Sequence, residues 1–303
     1  IIAGLKNLEY RGYDSAGIAL VENKKVDLYK SQGKISKLED SLKDINTNSN
    51  IGIGHTRWAT HGIPNEINAH PHKVGKVTLV HNGIIENYAI LKNELISKGV
   101  TFKTQTDSEV ACAYINYMYE KELENNSKTP ELTAIIKACK DFRGSYAFGV
   151  IFDNDTSSIY ATRKDSPLII GVGENENFIA SDVSAILDYT KEYILLEEGE
   201  FAKITNTSID IFDSNLKKIT KGKAYEKMLD KAKNNTLFVV LSGAISILAF
   251  PALFVLLILL SVLGLYMITI PVAVVYMAFL IVFVMLSVYV IGCTIFEYTN
   301  KKY

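Results

Sequence analysis

The sequence predicts an α+β domain followed by a transmembrane α-helical hairpin. Three observations carry this. After residue 144 the short runs SYAFGVIFD, SIYATR, PLIIGVG, NFIASD, EFAKIT and SIDIFD follow one another between Gly, Asn and Asp turns. The helix-like runs are grouped ahead of them, not alternated with strands as a doubly wound parallel sheet requires. From Leu237 to Phe296 there is no Asp, Glu, Lys, Arg or His, enough for two spans of roughly 20 residues and a turn.

Taken in order, residues 1–10 read as the end of a helix, and GIALVENKKVDLYK as two strands around a turn at Glu22–Lys25. KISKLEDSLKD has apolar residues at helical spacing. IGIGHTRWA begins as a strand, and KVTLVHNG is a second strand ending at a glycine turn. IIENYAILKNELISKG predicts an amphipathic helix stopped by Gly99. DSEVACAYINYMYEKELE is another, with Asp107 where an N-cap would sit. PELTAIIKACKDF is a third, opened by Pro130.

The tail is expected to form helices at about 237–262 and 270–295, with the turn between Gly264 and Pro271. Lys227, Lys231 and Lys233 flank its start and Lys301 and Lys302 its end. The positive-inside rule places both flanks, including a tail at 297–303, in the cytoplasm. The expected organisation is a globular domain over 1–222, a linker over 223–235 and membrane helices over 236–296.

Net charge is −1, without the basic excess that nucleic-acid binding requires. The cysteines, Cys112, Cys139 and Cys293, form no CxxC pair and are odd in number, so neither a disulfide framework nor a zinc knuckle is expected. The chain starts at isoleucine within a helix-like run, and its natural start is expected to lie upstream.

Residues 55–72, HTRWATHGIPNEINAHPH, hold four of the five histidines and the single tryptophan. His70 and His72 make an HxH pair that could meet one metal from a strand. Pro71 separates them and no carboxylate or cysteine stands at a supporting spacing, so no metal is expected. A Ser-His-Asp arrangement stays open, because its order in sequence is not fixed. Cys112 and Cys139 read as small core residues of amphipathic helices. HNGIIEN places Asn82 and Gly83 where a strand meets a helix, the geometry of an anion hole. Arg57 in TRW offers a bidentate partner for a carboxylate. Asp107 in TDSE could pair with an amine or cap its helix.

LEYRGYDSAGIA, HTRWATHG, NAHPH, VHNGIIENY and TDSEVA, with ENFIASD and LEEGEFAKI beyond them, closely resemble the glutaminase (class II glutamine amidotransferase) domain of the isomerizing glutamine–fructose-6-phosphate aminotransferases over about residues 1–222. The resemblance implies an N-terminal-nucleophile hydrolase fold, a four-layer αββα sandwich, and hydrolysis of glutamine with ammonia passed to fructose 6-phosphate. It implies that Arg57 holds the α-carboxylate of glutamine and that Asp107, helped by Gly83, holds the α-ammonium. The Asn82 amide and Gly83 N–H would form the oxyanion hole. Trp58, Thr60 and His61 would line the pocket, and Arg11 lies in a matching motif near the nucleophile. That nucleophile is an N-terminal cysteine whose α-amino group is its base, expected upstream of Ile1, so no glutaminase activity is expected of residues 1–303 alone. Fructose 6-phosphate would be met only through isomerase domains that residues 1–222 do not contain. No cofactor is expected, and a homodimer is one expected assembly. The alternatives are a membrane-anchored, inactive glutamine-binding module or a join between two genes.

Overall fold

In this computed structural model residues 1–23, 25–59 and 62–221 are described. The chain separates into two units, residues 1–225 and 226–303, and the second lies wholly outside the described residues. So do the expected linker, membrane helices and tail. Among the described residues no helix is long and apolar enough to cross a membrane.

Helix α1 (Ile2–Leu8) leads through a short 3-10 turn (Glu9–Arg11) into β1 (Ser15–Glu22) and β2 (Lys25–Gln32), then α2 (Ile35–Ser41) and β3 (Ile51–Arg57). β4 (His72–Val74), β5 (Val77–Ile85), α3 (Tyr88–Ser97), α4 (Asp107–Glu124) and α5 (Pro130–Asp141) follow. The rest is strand: β6 (Gly144–Phe152), β7 (Asp155–Lys164), β8 (Ile169–Val172), β9 (Asn177–Ala180), β10 (Glu192–Leu195), β11 (Phe201–Ile204), β12 (Ile209–Phe212) and β13 (Lys218–Ile219), with a 3-10 turn at Val183–Ala185.

Among the described residues every pairing between these strands is antiparallel. One seven-stranded sheet runs β13-β12-β11-β7-β6-β5-β4, and two three-stranded sheets run β2-β1-β3 and β10-β8-β9. β3 packs over β5, β6 and β7, α1 lies on β3, and α4 lies on β4 and β5. The layers are therefore αββα, as the resemblance implies, with one sheet layer divided in two.

Burial explains the layering. Val110, Ile115 and Tyr119 of α4 meet Ile135 of α5 and Leu79, Phe148 and Phe152 of the large sheet in one core. Each such side chain contributes roughly 1.5–3 kcal/mol when fully buried. A second cluster joins Ala19 and Ile53 to Val80 and Ile151, holding sheet against sheet.

The start of α4 is fixed by the Thr-x-x-Glu pattern. The Thr106 hydroxyl accepts from Glu109 N at 3.1 Å, and the Glu109 carboxylate accepts from Lys103 N and Thr104 N at 2.9 and 2.7 Å. Thr106 is thus the cap. Asp107, expected at that position, is instead the first helical residue.

Candidate active site

A cavity of about 1510 Å³ runs between the sheet layers, and Arg11, Arg57, Trp58, Asn82, Gly83 and Asp107 all line it. Thr60 and His61 lie outside the described residues.

Arg57 ends β3 and is 5% exposed. Its guanidinium donates to the carbonyls of Gly62 and Ile63 at 3.2 and 3.4 Å and stands 3.7 Å from Asp14. Burial lowers its pKa, while Asp14 and Asp107 favour the charged form. The cation is thus held among carbonyls and two carboxylates at the cavity wall. Trp58, the next residue, is 62% exposed, and its ring meets the edge of Tyr13, with centroids 5.8 Å apart.

Asp107 is 3% exposed. Its Oδ2 accepts from Ile85 N at 2.8 Å, which ties the start of α4 to the end of β5. Its other neighbours are the Ser108 hydroxyl at 3.4 Å and His81 Nδ1 at 3.9 Å. His81 Nδ1 itself lies 2.9 Å from the Ser108 hydroxyl.

The expectation for Asn82 and Gly83 needs correction in one respect. β5 continues through both to Ile85, and α3 begins only at Tyr88. α3, the helix that follows in sequence, therefore does not start against them and its dipole adds nothing there; the helix start that lies nearby is that of α4, at Asp107. Gly83 pairs with Tyr146 of β6 and has φ +137°, where an added Cβ would lie 2.2 Å from the Ser145 carbonyl. Only glycine fits that backbone.

Arg11 faces Asp182, beyond β9, at 3.7 Å. It links the two small sheets at the Arg57 end of the cavity.

Sequence reasoning named His61 alone among the histidines as a pocket residue, whereas the structure places others in the walls. His55 and His70 stack at 4.3 Å, and His70 Nδ1 accepts from His81 N at 3.3 Å, the residue beside Asn82. The Thr106 hydroxyl lies 3.2 Å from His72 Nε2. Burial holds His55 down at about 3 and His70 and His72 well below their ordinary value. These are neutral rings that fix the walls. Among the described residues no three His, Cys, Asp or Glu side chains are placed to hold a metal. Burial pushes the Cys112 and Cys139 thiols up to about 12, and neither lines the cavity.

Residues 55–188 match the glutamine amidotransferase domain family. The chain carries a glutamine amidotransferase domain. It is 46% identical over 223 residues to the isomerizing glutamine–fructose-6-phosphate aminotransferase of Clostridium perfringens, covering 73% of this chain and 35% of the relative. It is 46% identical over 229 residues to that of Thermococcus kodakarensis, covering 75% and 36%. The chain thus spans about a third of the length of these curated relatives. Among solved structures it is similar to the Bacillus subtilis glutamine phosphoribosylpyrophosphate amidotransferase complexed with ADP and GMP, at 25% identity and TM-score 0.58, covering 70% of this chain and 46% of that one. The domain is homologous to the glutaminase part of the aminotransferases.

Proposed function

We propose that the cavity binds L-glutamine at its Arg57 end, and that the domain serves as the ammonia-releasing half of a glucosamine-6-phosphate-forming aminotransferase. The observation that carries this reading is the meeting of a buried guanidinium, a buried carboxylate and Gly83, at a backbone only glycine fits, on one cavity wall. Arg57 pairs with the α-carboxylate and Asp107 with the α-ammonium. Asn82 and Gly83 donate to the oxygen of the side-chain amide as it becomes an oxyanion. Trp58 covers the pocket from outside, the resemblance adds Thr60 and His61 as pocket residues, and Arg11 braces the nucleophile's end.

Hydrolysis needs a thiol that neither described cysteine supplies. The thiol sulfur attacks the side-chain carbonyl carbon, and its proton passes to the adjacent α-amino group and then to the leaving nitrogen. The C–N bond breaks and ammonia departs. Water then cleaves the thioester, giving glutamate and restoring the thiol. Transfer of that ammonia to fructose 6-phosphate requires isomerase domains that residues 1–222 do not contain.

The charge-free run over 237–295 supports a cytoplasmic domain anchored in the cell membrane. Alkaline extraction of membranes should leave the chain in the pellet; release into the supernatant contradicts anchoring.

Isothermal titration of the full chain with L-glutamine tests the binding reading. Saturable one-to-one binding is expected, weakened roughly 100-fold in Arg57→Ala, since a hydrogen-bonded charge contributes about 1.5–3 kcal/mol. Absence of heat at millimolar glutamine, or equal binding by the variant, contradicts it.

A further inference from the structure

The Arg57 guanidinium rests on the loop that follows β3, and Asp107 opens α4. One buried side chain ties that loop to the segment before α4. Asn68, which opens the NAHPH run, is 2% exposed and stands behind the cavity wall, not in it. Its Nδ2 donates to the Ile63 carbonyl at 3.0 Å, the same carbonyl that accepts from Arg57 Nη1 at 3.4 Å. Its Oδ1 accepts from Gln105 N at 3.0 Å, two residues before Asp107. Gln105 closes the ring from the other side, since its Oε1 accepts from Ile63 N at 3.4 Å.

Both ends of this bridge are anchored. Asn68 N donates to Asn65 Oδ1 at 2.8 Å. Around it β2 grips the loop, with Gln32 Nε2 donating to the Pro64 carbonyl at 2.8 Å and Lys30 Nζ to the Ala69 carbonyl at 2.6 Å. Gly62, with φ +77°, packs so closely on the bridge that a Cβ there would lie 2.8 Å from Asn68 Nδ2 and 3.0 Å from Gln105 Cβ. At the far end Thr106 caps α4, and Asp107 is bonded to Ile85 N.

An α-amino acid carries its carboxylate and its ammonium on one carbon. Two protein groups that hold both must keep one spacing, and freedom between them that is lost on binding lowers affinity. A cross-link between their supports removes that freedom beforehand. Buried hydrogen bonds suit the task, because a buried group left without its partner is strongly disfavoured.

We propose that Asn68 is a positioning residue that sets the spacing of Arg57 and Asp107, so that the site selects ligands carrying both an α-carboxylate and an α-ammonium. The assignment rests on the glutamine reading. It has a consequence that packing alone lacks. Loosening the bridge weakens only ligands that span both groups, because a ligand held by one group is indifferent to motion of the other.

The test is NMR titration of the full chain with three ligands: L-glutamine, γ-aminobutyramide, which lacks the α-carboxylate, and glutaramic acid, which lacks the α-ammonium. Asn68→Ala should bind L-glutamine roughly tenfold more weakly, while the two single-anchor ligands change by less than about twofold. Gln105→Ala, at an exposed residue, removes only the bond to Ile63 N. It should give the same pattern with a smaller loss, and it carries the test if Asn68→Ala fails to fold. Equal losses for all three ligands, or unchanged L-glutamine binding, overturn the proposal. If the unaltered chain binds no L-glutamine, the glutamine reading falls and hydrogen exchange decides the bridge. In Asn68→Ala the amides of Gln105 and Ile63 should then exchange faster together. Faster exchange at Gln105 alone means that Asn68 does not couple the two segments, and overturns it.

Discussion

At the Arg57 end of the cavity the polar groups are bound to one another, whereas between the sheets the lining is apolar, with Ile53, Val80, Ile159 and Ile179. Arg57 has two carbonyls and a nearby carboxylate, and Asp107 has the Ile85 amide. Such groups keep their geometry before a ligand arrives, which is what electrostatic recognition requires. The apolar lining holds sheet against sheet and offers no fixed charge. The contrast teaches that recognition is concentrated at one end of the cavity, while the rest of its wall serves packing.

The largest expected effect breaks the clamp end through its backbone. Gly83→Ala combines a positive φ with the Ser145 clash and should cost about 2–4 kcal/mol in urea unfolding. Gly199→Ala has φ +74° with nothing within 4 Å and should cost about 1 kcal/mol. Equal costs would show that the Gly83 contact is relieved by movement.

Next, Asp107→Asn keeps an acceptor for Ile85 N–H but removes the charge. Glutamine affinity should fall about tenfold, with the urea unfolding midpoint nearly unchanged. Loss of both in parallel would make Asp107 a group that holds the fold and not one that holds the ligand.

Acid tests the walls of the cavity. His55, His70 and His72 are neutral when folded because burial depresses their pKa values, His55 to about 3. Unfolded, they take protons below about 6.5. The unfolded state then binds more protons, so their contribution is intact above that pH and is lost as pH falls. Tm should drop steadily from pH 6.5 toward 4, and His55→Phe should flatten the slope. An unchanged slope would mean that carboxylates alone account for it. The smallest effect is expected of Trp58→Ala: the ring is 62% exposed, so stability should move by less than about 0.5 kcal/mol and only the glutamine dissociation rate should rise. A larger stability loss would make Trp58 part of the wall.

Sequence and structure agree most closely where the signal is local. Capping chemistry and periodicity place α4 over Asp107–Glu124, and Pro130 opens α5. The resemblance names Arg11, Arg57, Trp58, Asn82, Gly83 and Asp107, residues scattered over a 3-10 turn, β3, the loop after it, β5 and α4 that the fold brings to one cavity. β13 escapes notice because it has only two residues, and β10 because it is short and pairs with β8, across an intervening strand. Asn82–Gly83 reads as a turn, yet Gly83 takes its positive φ inside a strand. The division of one sheet layer is illegible for a deeper reason. It depends on which strands become neighbours, and no local pattern around Ile51–Arg57 or Asn177–Ala180 encodes that the two edges face one cavity.

The clamp is tested most directly by titrating the full chain with L-glutamine and, in parallel, with glutaramide, which has the reactive amide but neither α-carboxylate nor α-ammonium. Saturable binding of L-glutamine and none of glutaramide is expected. Equal binding of the two, or binding of neither, would contradict the assignment of Arg57 and Asp107 as the groups that hold the ligand.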